Sequence, residues 1–410
     1  MGCGEIEQNE ELELRDQDQT ETAGSEVDED WSEPPKPKKN KNQPGVIPGQ
    51  YIVMLKQGAN PNAAAAAVQA VPKHTFKSAL SGFAGPLNPG QLQALAKHKD
   101  VLRIEPDQVV VAADTQCPGG GPEPVTQYKT APDYAPAYSV DRIDQIALPF
   151  SNSYTYKSSG AGVNVYIVDT WLDTNHPDFG GRASAGYDGY PKDPSNGEEC
   201  SGHATHVAGI VGGTKYGVAK NANLISVEVL DCTGHGSWSK LLAGIDWILD
   251  HSDGTLAVAN MSLSGSESWI VDAAVDELAA SGVFVAVAAG NSNKNACNYS
   301  PAGADDVMTV AANNSNDQRA TFSNFGPCVD IYAGGTNVRS AWPGGGWRTG
   351  SGTSMASPHV AGVAALYKQA FGNTSSTRIK ADLIDWASEG KIDGNVANTP
   401  NLLLHWPCTD

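Results

Sequence analysis

The sequence predicts an α/β fold, a doubly wound and mostly parallel sheet with helices on both faces, preceded by a small α+β domain. Two observations carry that reading. From about residue 139 the chain alternates short strands, apolar along their whole length, with segments of helical period. A strand without a polar face needs cover on both sides, which alternating helices supply. Ahead of that region lies a shorter run of strand-like and helix-like segments. It is set apart by CPGGGPEPVTQYKTAPDYAP at 117–136, too rich in glycine and proline for either regular element.

Along the chain, residues 1–47 read as an acidic leader or tether. Between Glu5 and Glu33, 13 acidic residues face Arg15 alone, a net of −12 out of the formal −19, and SEPPKPKKNKNQPG follows without amphipathic period. Such a segment buries too little apolar surface to order itself and is expected to be disordered. Residues 48–113 form the small α+β domain. GQYIVMLK alternates as a strand, NAAAAAVQAV and NPGQLQALAKH read as helices, and VLRIEPDQVVVAA as further strands. Residues 114–138 are a linker. In 139–410 the buried strands are GVNVYIVD, NLISVEVL, LAVANMSL and VFVAVAA, with helical faces at 203–212, 240–250, 270–281 and 355–370. Reactive groups in such a sheet gather where strands end and helices begin.

Outside the leader the chain is only moderately acidic, which argues against nucleic acid as a partner. Seven cysteines, at 3, 117, 200, 232, 297, 328 and 408, are many for a reducing compartment, and none pair as CxxC for zinc or thiol exchange. Structural disulfides in an exported protein fit better. The N-terminus has no signal-like core, so export is expected through a signal already removed. The opening MGCG leaves two readings, a lipid-bearing Cys3 at the cell surface or an accidental cysteine in the leader.

The chemistry is suggested by SGTSMASPHVAG, where Ser354 stands at the mouth of a helix. Alone it reads as an N-cap. Two further strand-to-helix boundaries alter that: Asp169 ends NVYIVD, and His203 opens the helical GHATHVAG. An alcohol near neutral pH needs an imidazole to take its proton and a carboxylate to fix and stabilise that imidazole. Attack on a carbonyl also calls for donors aimed at the developing oxyanion. The side-chain amide of Asn291 in AAGNSN and the backbone N–H of Ser354 are the candidates.

DT at Asp169, GHATHVAG, AAGN and GTSMASPHVAG, in that order, resemble the subtilisin-like serine proteases and in particular the proteinase K branch. The resemblance runs from about 139 to the end. It implies a subtilisin-like fold and a secreted, monomeric endopeptidase acting on proteins and peptides through Asp169, His203 and Ser354, with Asn291 as oxyanion donor. His206 and His359 are then structural. Ser262, Leu263, Ser264 and Gly265 would form one wall of the substrate cleft and Ala288, Ala289 and Gly290 the other. Small, uncharged walls suit apolar or aromatic residues before the scissile bond. HTFKSALSGFAG and VLRIEPDQ resemble the family's inhibitory propeptide, so 48–113 is expected to inhibit its own enzyme until a cut between 110 and 131.

The same resemblance implies the disulfides Cys200–Cys232 and Cys297–Cys328 and structural calcium, which prefers oxygen ligands. One ion is expected on the carbonyls of Asp305 and Val307 with the carboxylate of Asp330. Another is expected on Asp141, Asp144 and Gln145 with the loop from Ser151. Helix-start carboxylates beside Arg142 are the alternative reading of Asp141 and Asp144. Three positions depart from the family's glycines, namely Trp171 after the Asp-Thr pair, Ala204 after His203 and Ser264 in the cleft wall. If those glycines served close approach or positive φ, the exchange is costly. A weakened enzyme retained as a binding or scaffold protein is therefore the competing reading. An esterase is disfavoured because the chain lacks a GxSxG elbow.

Overall fold

The computed structural model describes residues 45–113, 138–191 and 201–407. Most of the leader and of the linker, with Cys3, Cys117, Cys200 and Cys408, lies outside the described residues.

The small domain runs β1 (Val46–Leu55), α1 (Pro61–Ala67), β2 (His74–Phe76), β3 (Gly82–Pro86), α2 (Pro89–Leu95) and β4 (Val101–Ala112). Both helices start on an asparagine cap followed by proline. Asn60 accepts the N–H groups of Asn62 and Ala63, and Asn88 exchanges hydrogen bonds with Gln91 in a capping box. The strands pair antiparallel in the order β4-β1-β3-β2. VLRIEPDQVVVAA, expected as more than one strand, is a single strand of 12 residues. Its first part pairs with β1, and its last four residues continue into the larger domain.

The larger domain runs α3 (Tyr138–Asp141), β5 (Val163–Asp169), β6 (Ala183–Asp188), α4 (His203–Gly212), β7 (Asn223–Glu228), β8 (His235–Ser237) and α5 (Trp238–Ser252). It continues through β9 (Leu256–Met261), β10 (Leu263–Ser266), α6 (Trp269–Ala280), β11 (Phe284–Ala288), β12 (Tyr299–Ser300), β13 (Met308–Asn313) and β14 (Ile331–Gly334). It closes with the hairpin β15 (Val338–Trp342) and β16 (Gly346–Gly350), then α7 (Thr353–Phe371), α8 (Ser376–Trp386), β17 (Ser388–Glu389) and β18 (Leu402–Leu403).

The main sheet has the order β17-β18-β14-β13-β11-β9-β5-β7-β6. Every neighbouring pair is parallel except β17 with β18. Successive residues of β5 point to opposite faces. Val165 and Ile167 pack with Val207, Phe284 and Val360, whereas Tyr166 and Val168 pack with Ile245, Leu278 and Val285. Both faces are thus covered, as the apolar strands require. Sequence order reverses direction around β5 and β9, and the ends of β5, β9 and β11 open on one crevice, the expected place for a site.

Candidate active site

Asp169 is the last residue of β5 and is fully buried; His203 is the first residue of α4 and is 2% exposed. The ring Nδ1 of His203 lies 2.7 Å from Asp169 Oδ1 and 2.8 Å from Oδ2. Asp169 Oδ1 also accepts the Thr170 N–H at 2.6 Å. A carboxylate only accepts, so Nδ1 holds its proton and Nε2 carries the lone pair. An imidazole locked in that tautomer can take up a proton, and the imidazolium so formed would face a negative charge.

Ser354 lies in the first turn of α7 and is fully buried, its Oγ donating to the Ser262 carbonyl at 3.1 Å. Its backbone N–H donates to the carbonyl oxygen of Ala113 at 3.1 Å. Asn291 Nδ2 donates to that same oxygen at 2.5 Å. Two donors from distant parts of the chain therefore converge on one carbonyl, in the arrangement an oxyanion needs. Thr353 fixes the direction of the Asn291 amide, since its N–H and its Oγ1 both donate to Asn291 Oδ1 at 2.9 Å. That hydroxyl in turn accepts the Gly290 N–H at 3.0 Å. Gly290 has φ +97°, and a Cβ there would lie 2.5 Å from Asn324 Nδ2, so only glycine fits.

Ala113 follows the end of β4, which lies between two strands of the larger domain. Val110, Val111 and Ala112 pair antiparallel with Gly265, Ser264 and Leu263 of β10. On the other edge Val109, Val110 and Val111 pair with Ser237, Gly236 and His235 of β8. The Ala113 N–H donates to the Ser262 carbonyl at 3.0 Å. The cleft wall read at 262–265 is thus a strand edge carrying an extended peptide. Ala288, Ala289 and Gly290 lead directly into Asn291.

The remaining histidines near the site are held by backbone. His206 Nε2 donates to the carbonyls of Val338 and Arg348, and His359 Nδ1 to that of Met355. Burial pushes the His359 imidazole down to about 4. None of the three missing glycines was needed for positive φ. Trp171, Ala204 and Ser264 all have backbone conformations outside the left-handed region. Trp171 is half-buried and lines a shallow cavity with Leu172, Tyr187 and Glu228. The buried Ala204 donates its N–H to Thr170 Oγ1 at 3.2 Å. Strain from a positive φ, one of the two grounds for the scaffold reading, is therefore absent at these positions.

Cys297 and Cys328 form a disulfide with Cα atoms 5.3 Å apart. Cys232 is disulfide-bonded as well; its expected partner Cys200 lies outside the described residues. Around the expected calcium ligands near the start of the larger domain, the Asp141 carboxylate accepts the N–H groups of Ser151 and Asn152, at 3.1 and 2.6 Å. Gln145 Oε1 accepts the Ser151 N–H at 2.9 Å, and Asp144 Oδ2 accepts the Thr155 N–H at 2.5 Å. Asp144 Oδ1 is buried without a hydrogen-bond partner among the described residues. Burial, and then the neighbouring Asp141, push the Asp144 carboxyl up. Arg142 pairs with the Asp317 carboxylate at 3.0 Å and donates from Nη1 to the Gln145 carbonyl, so its ion pair is with Asp317 and not with these two carboxylates. An orphaned oxygen beside a second carboxylate fits a cation. The other expected set, Asp305, Val307 and Asp330, converges on a group that the sequence reading missed, the Nζ of Lys380 in α8.

Residues 160–401 match the family model described as the subtilase family, and residues 50–113 match that of peptidase inhibitor I9. An alkaline serine exoprotease A from Vibrio alginolyticus is 43% identical over 80% of this chain, which spans 59% of that protein's length. An extracellular serine proteinase from Thermus sp. is 39% identical over 89% of this chain and 91% of its own length. Among solved structures, a cold adapted subtilisin-like serine proteinase is 45% identical with a TM-score of 0.63, covering 66% of this chain and 98% of that one.

Proposed function

The chain belongs to the subtilase family, and from that premise we propose that it is a serine endopeptidase made as a self-processing precursor. In this reading Asp169, His203 and Ser354 are the catalytic triad, and the bond after Ala113 is the first one cut. The supporting observation is the Ala113 carbonyl oxygen, met by the Ser354 N–H at 3.1 Å and Asn291 Nδ2 at 2.5 Å.

Ser354 Oγ turns from the Ser262 carbonyl toward the His203 ring, gives its proton to Nε2 and attacks the Ala113 carbonyl carbon. The charge that develops on oxygen already faces both donors, so little reorganisation is required. His203 then passes the proton to the leaving amine of Asp114, and water repeats the sequence on the acyl-enzyme. Asp169 remains ionised and keeps the ring oriented.

Residues 50–113 inhibit by supplying the peptide that fills the cleft. Four carboxylates hold that domain in place, one of them Asp250 of α5, which accepts from Ser78 Oγ at 2.6 Å. Glu105 accepts from Ser268 Oγ at 2.7 Å, and Asp107 from the N–H and Oγ of Ser239, at 3.1 and 2.6 Å. Asp246 of α5 accepts the N–H groups of Lys77, Ser78 and Ala79. Substrate preference follows from the same strand. Ala113 is a small apolar residue before the bond. Val110, the fourth residue before it, is buried in a cluster with Trp238 and Leu263. Small or apolar side chains are expected at both positions.

Calcium would be held by Asp141, Asp144 and Gln145 and would serve a structural role, tying the loop from Ser151 to the domain's first turn. Secretion is supported by the Thermus relative, an extracellular serine proteinase. Among the described residues no helix is long and apolar enough to cross a membrane. The test is expression of the full chain beside its Ser354→Ala variant. The parent should yield a fragment whose N-terminal sequence begins at Asp114, while the variant stays intact. A shortened Ser354→Ala chain would overturn the mechanism, and a different first residue would overturn the assigned bond.

A further inference from the structure

We infer that in this chain the ammonium of Lys380 takes the place of a calcium ion at Asp305, Val307 and Asp330, so that this junction holds itself together without a metal. Lys380 Nζ lies 3.2 Å from the Asp305 carbonyl oxygen, 2.6 Å from that of Val307 and 3.0 Å from Asp330 Oδ1. An ammonium has three protons to donate, and here it has three acceptors. The second carboxylate oxygen of Asp330 is taken by the Thr309 N–H at 2.7 Å.

Calcium does not fit alongside. It requires about six to eight oxygens at roughly 2.3–2.6 Å, and an ion that close to these three oxygens would overlap Nζ. The charges agree with the geometry. Asp330 and Lys380 cancel, whereas a divalent ion added to that pair would leave two positive charges in excess within a mostly buried site. The remaining candidate ligands are two neutral carbonyls, which cannot offset them.

The fold explains how a lysine reaches the position. In α8, Ile379 and Leu383 face the core, and Lys380, at the edge of that face, extends across to the loop before β13 and the start of β14. The Cys297–Cys328 disulfide ties neighbouring stretches, Cys297 lying just before β12 and Cys328 two residues before Asp330. Of the strands leaving the lysine junction, β13 pairs with β11, whose end leads into Asn291, and β14 pairs with β13.

The test uses the full chain with Ser354→Ala, so that no cleavage complicates the measurement. Calcium bound per molecule is measured by equilibrium dialysis in this protein and with Asp330→Asn added, and the melting temperature in EDTA is measured with Lys380→Ala added. The expected results are an equal calcium content in the first pair and a melting temperature at least about 3 °C lower for Lys380→Ala. Loss of one calcium on Asp330→Asn would overturn the inference, and so would an unchanged melting temperature for Lys380→Ala. The second measurement stands if Asp330→Asn does not fold.

Discussion

Thr353 donates both its N–H and its hydroxyl to Asn291 Oδ1, which leaves only the Nδ2 end of that amide to meet the Ala113 carbonyl. Thr353→Val keeps the volume and the N–H but removes one of the two tethers. On a peptide substrate the activated variant should lose about tenfold in kcat, the worth of one hydrogen bond, with KM nearly unchanged, because the amide matters most once charge develops. Asn291→Leu should cost on the order of 10²–10³-fold, a range established on subtilisin and carried over from it. A rise in KM alone for either variant would place the residue in substrate binding instead. Asp169, His203, Asn291 and Ser354 were legible in the sequence because each sits at a strand end or helix start with small residues around it. Thr353 and Lys380 were not. A threonine before a serine and a lysine on a helix are ordinary residues until the fold delivers their acceptors.

At the scale of the element, α6 holds an opposition between helix dipole and burial. Asp272 lies in its first turn, where the helix favours an anion. Burial wins nevertheless and pushes the carboxyl up to about 7, with Asp276, Glu267 and Glu105 adding to the rise and a Ser300 hydrogen bond opposing it. Because the folded form keeps a proton that the unfolded chain releases near pH 4, this group's contribution is full in acid and is lost as pH rises toward 7. Unfolding of the Ser354→Ala precursor by denaturant should therefore show stability falling between about pH 4 and 7, and Asp272→Asn should flatten that slope. The reverse slope would mean that the carboxylate is stabilised in the fold. The helices that were read start within two residues of where the structure begins them, since Ser237 and Ser268 cap α5 and α6 as the pattern requires, whereas α3 and α8 were not read. The strand β14 and the hairpin β15–β16 were missed, being short and interleaved with glycine and polar turns, and β13 was missed although it is as long as β7 and β9. The strand β4 was divided in the reading because Pro106 lies within it.

For the whole molecule, the α/β class and the two-domain order follow from strands with no polar face and from the glycine- and proline-rich break between the domains. What the sequence could not convey is that VVVAA belongs to both domains at once. Nothing in those five residues indicates that their partners are β8 and β10, far along the chain. That shared strand also governs how activity should begin. Under the proposed function, hydrolysis after Ala113 would sever one covalent link and none of the ladder on either edge of β4, so each newly cut molecule would remain plugged by its own severed end. The first molecule to lose its plug can digest those of its neighbours, and activation should spread like an infection. Progress curves from a fresh precursor are expected to be sigmoidal, with a lag that shortens as total protein rises or when a trace of mature enzyme is added; a lag indifferent to both would mean that the plugs fall out unaided.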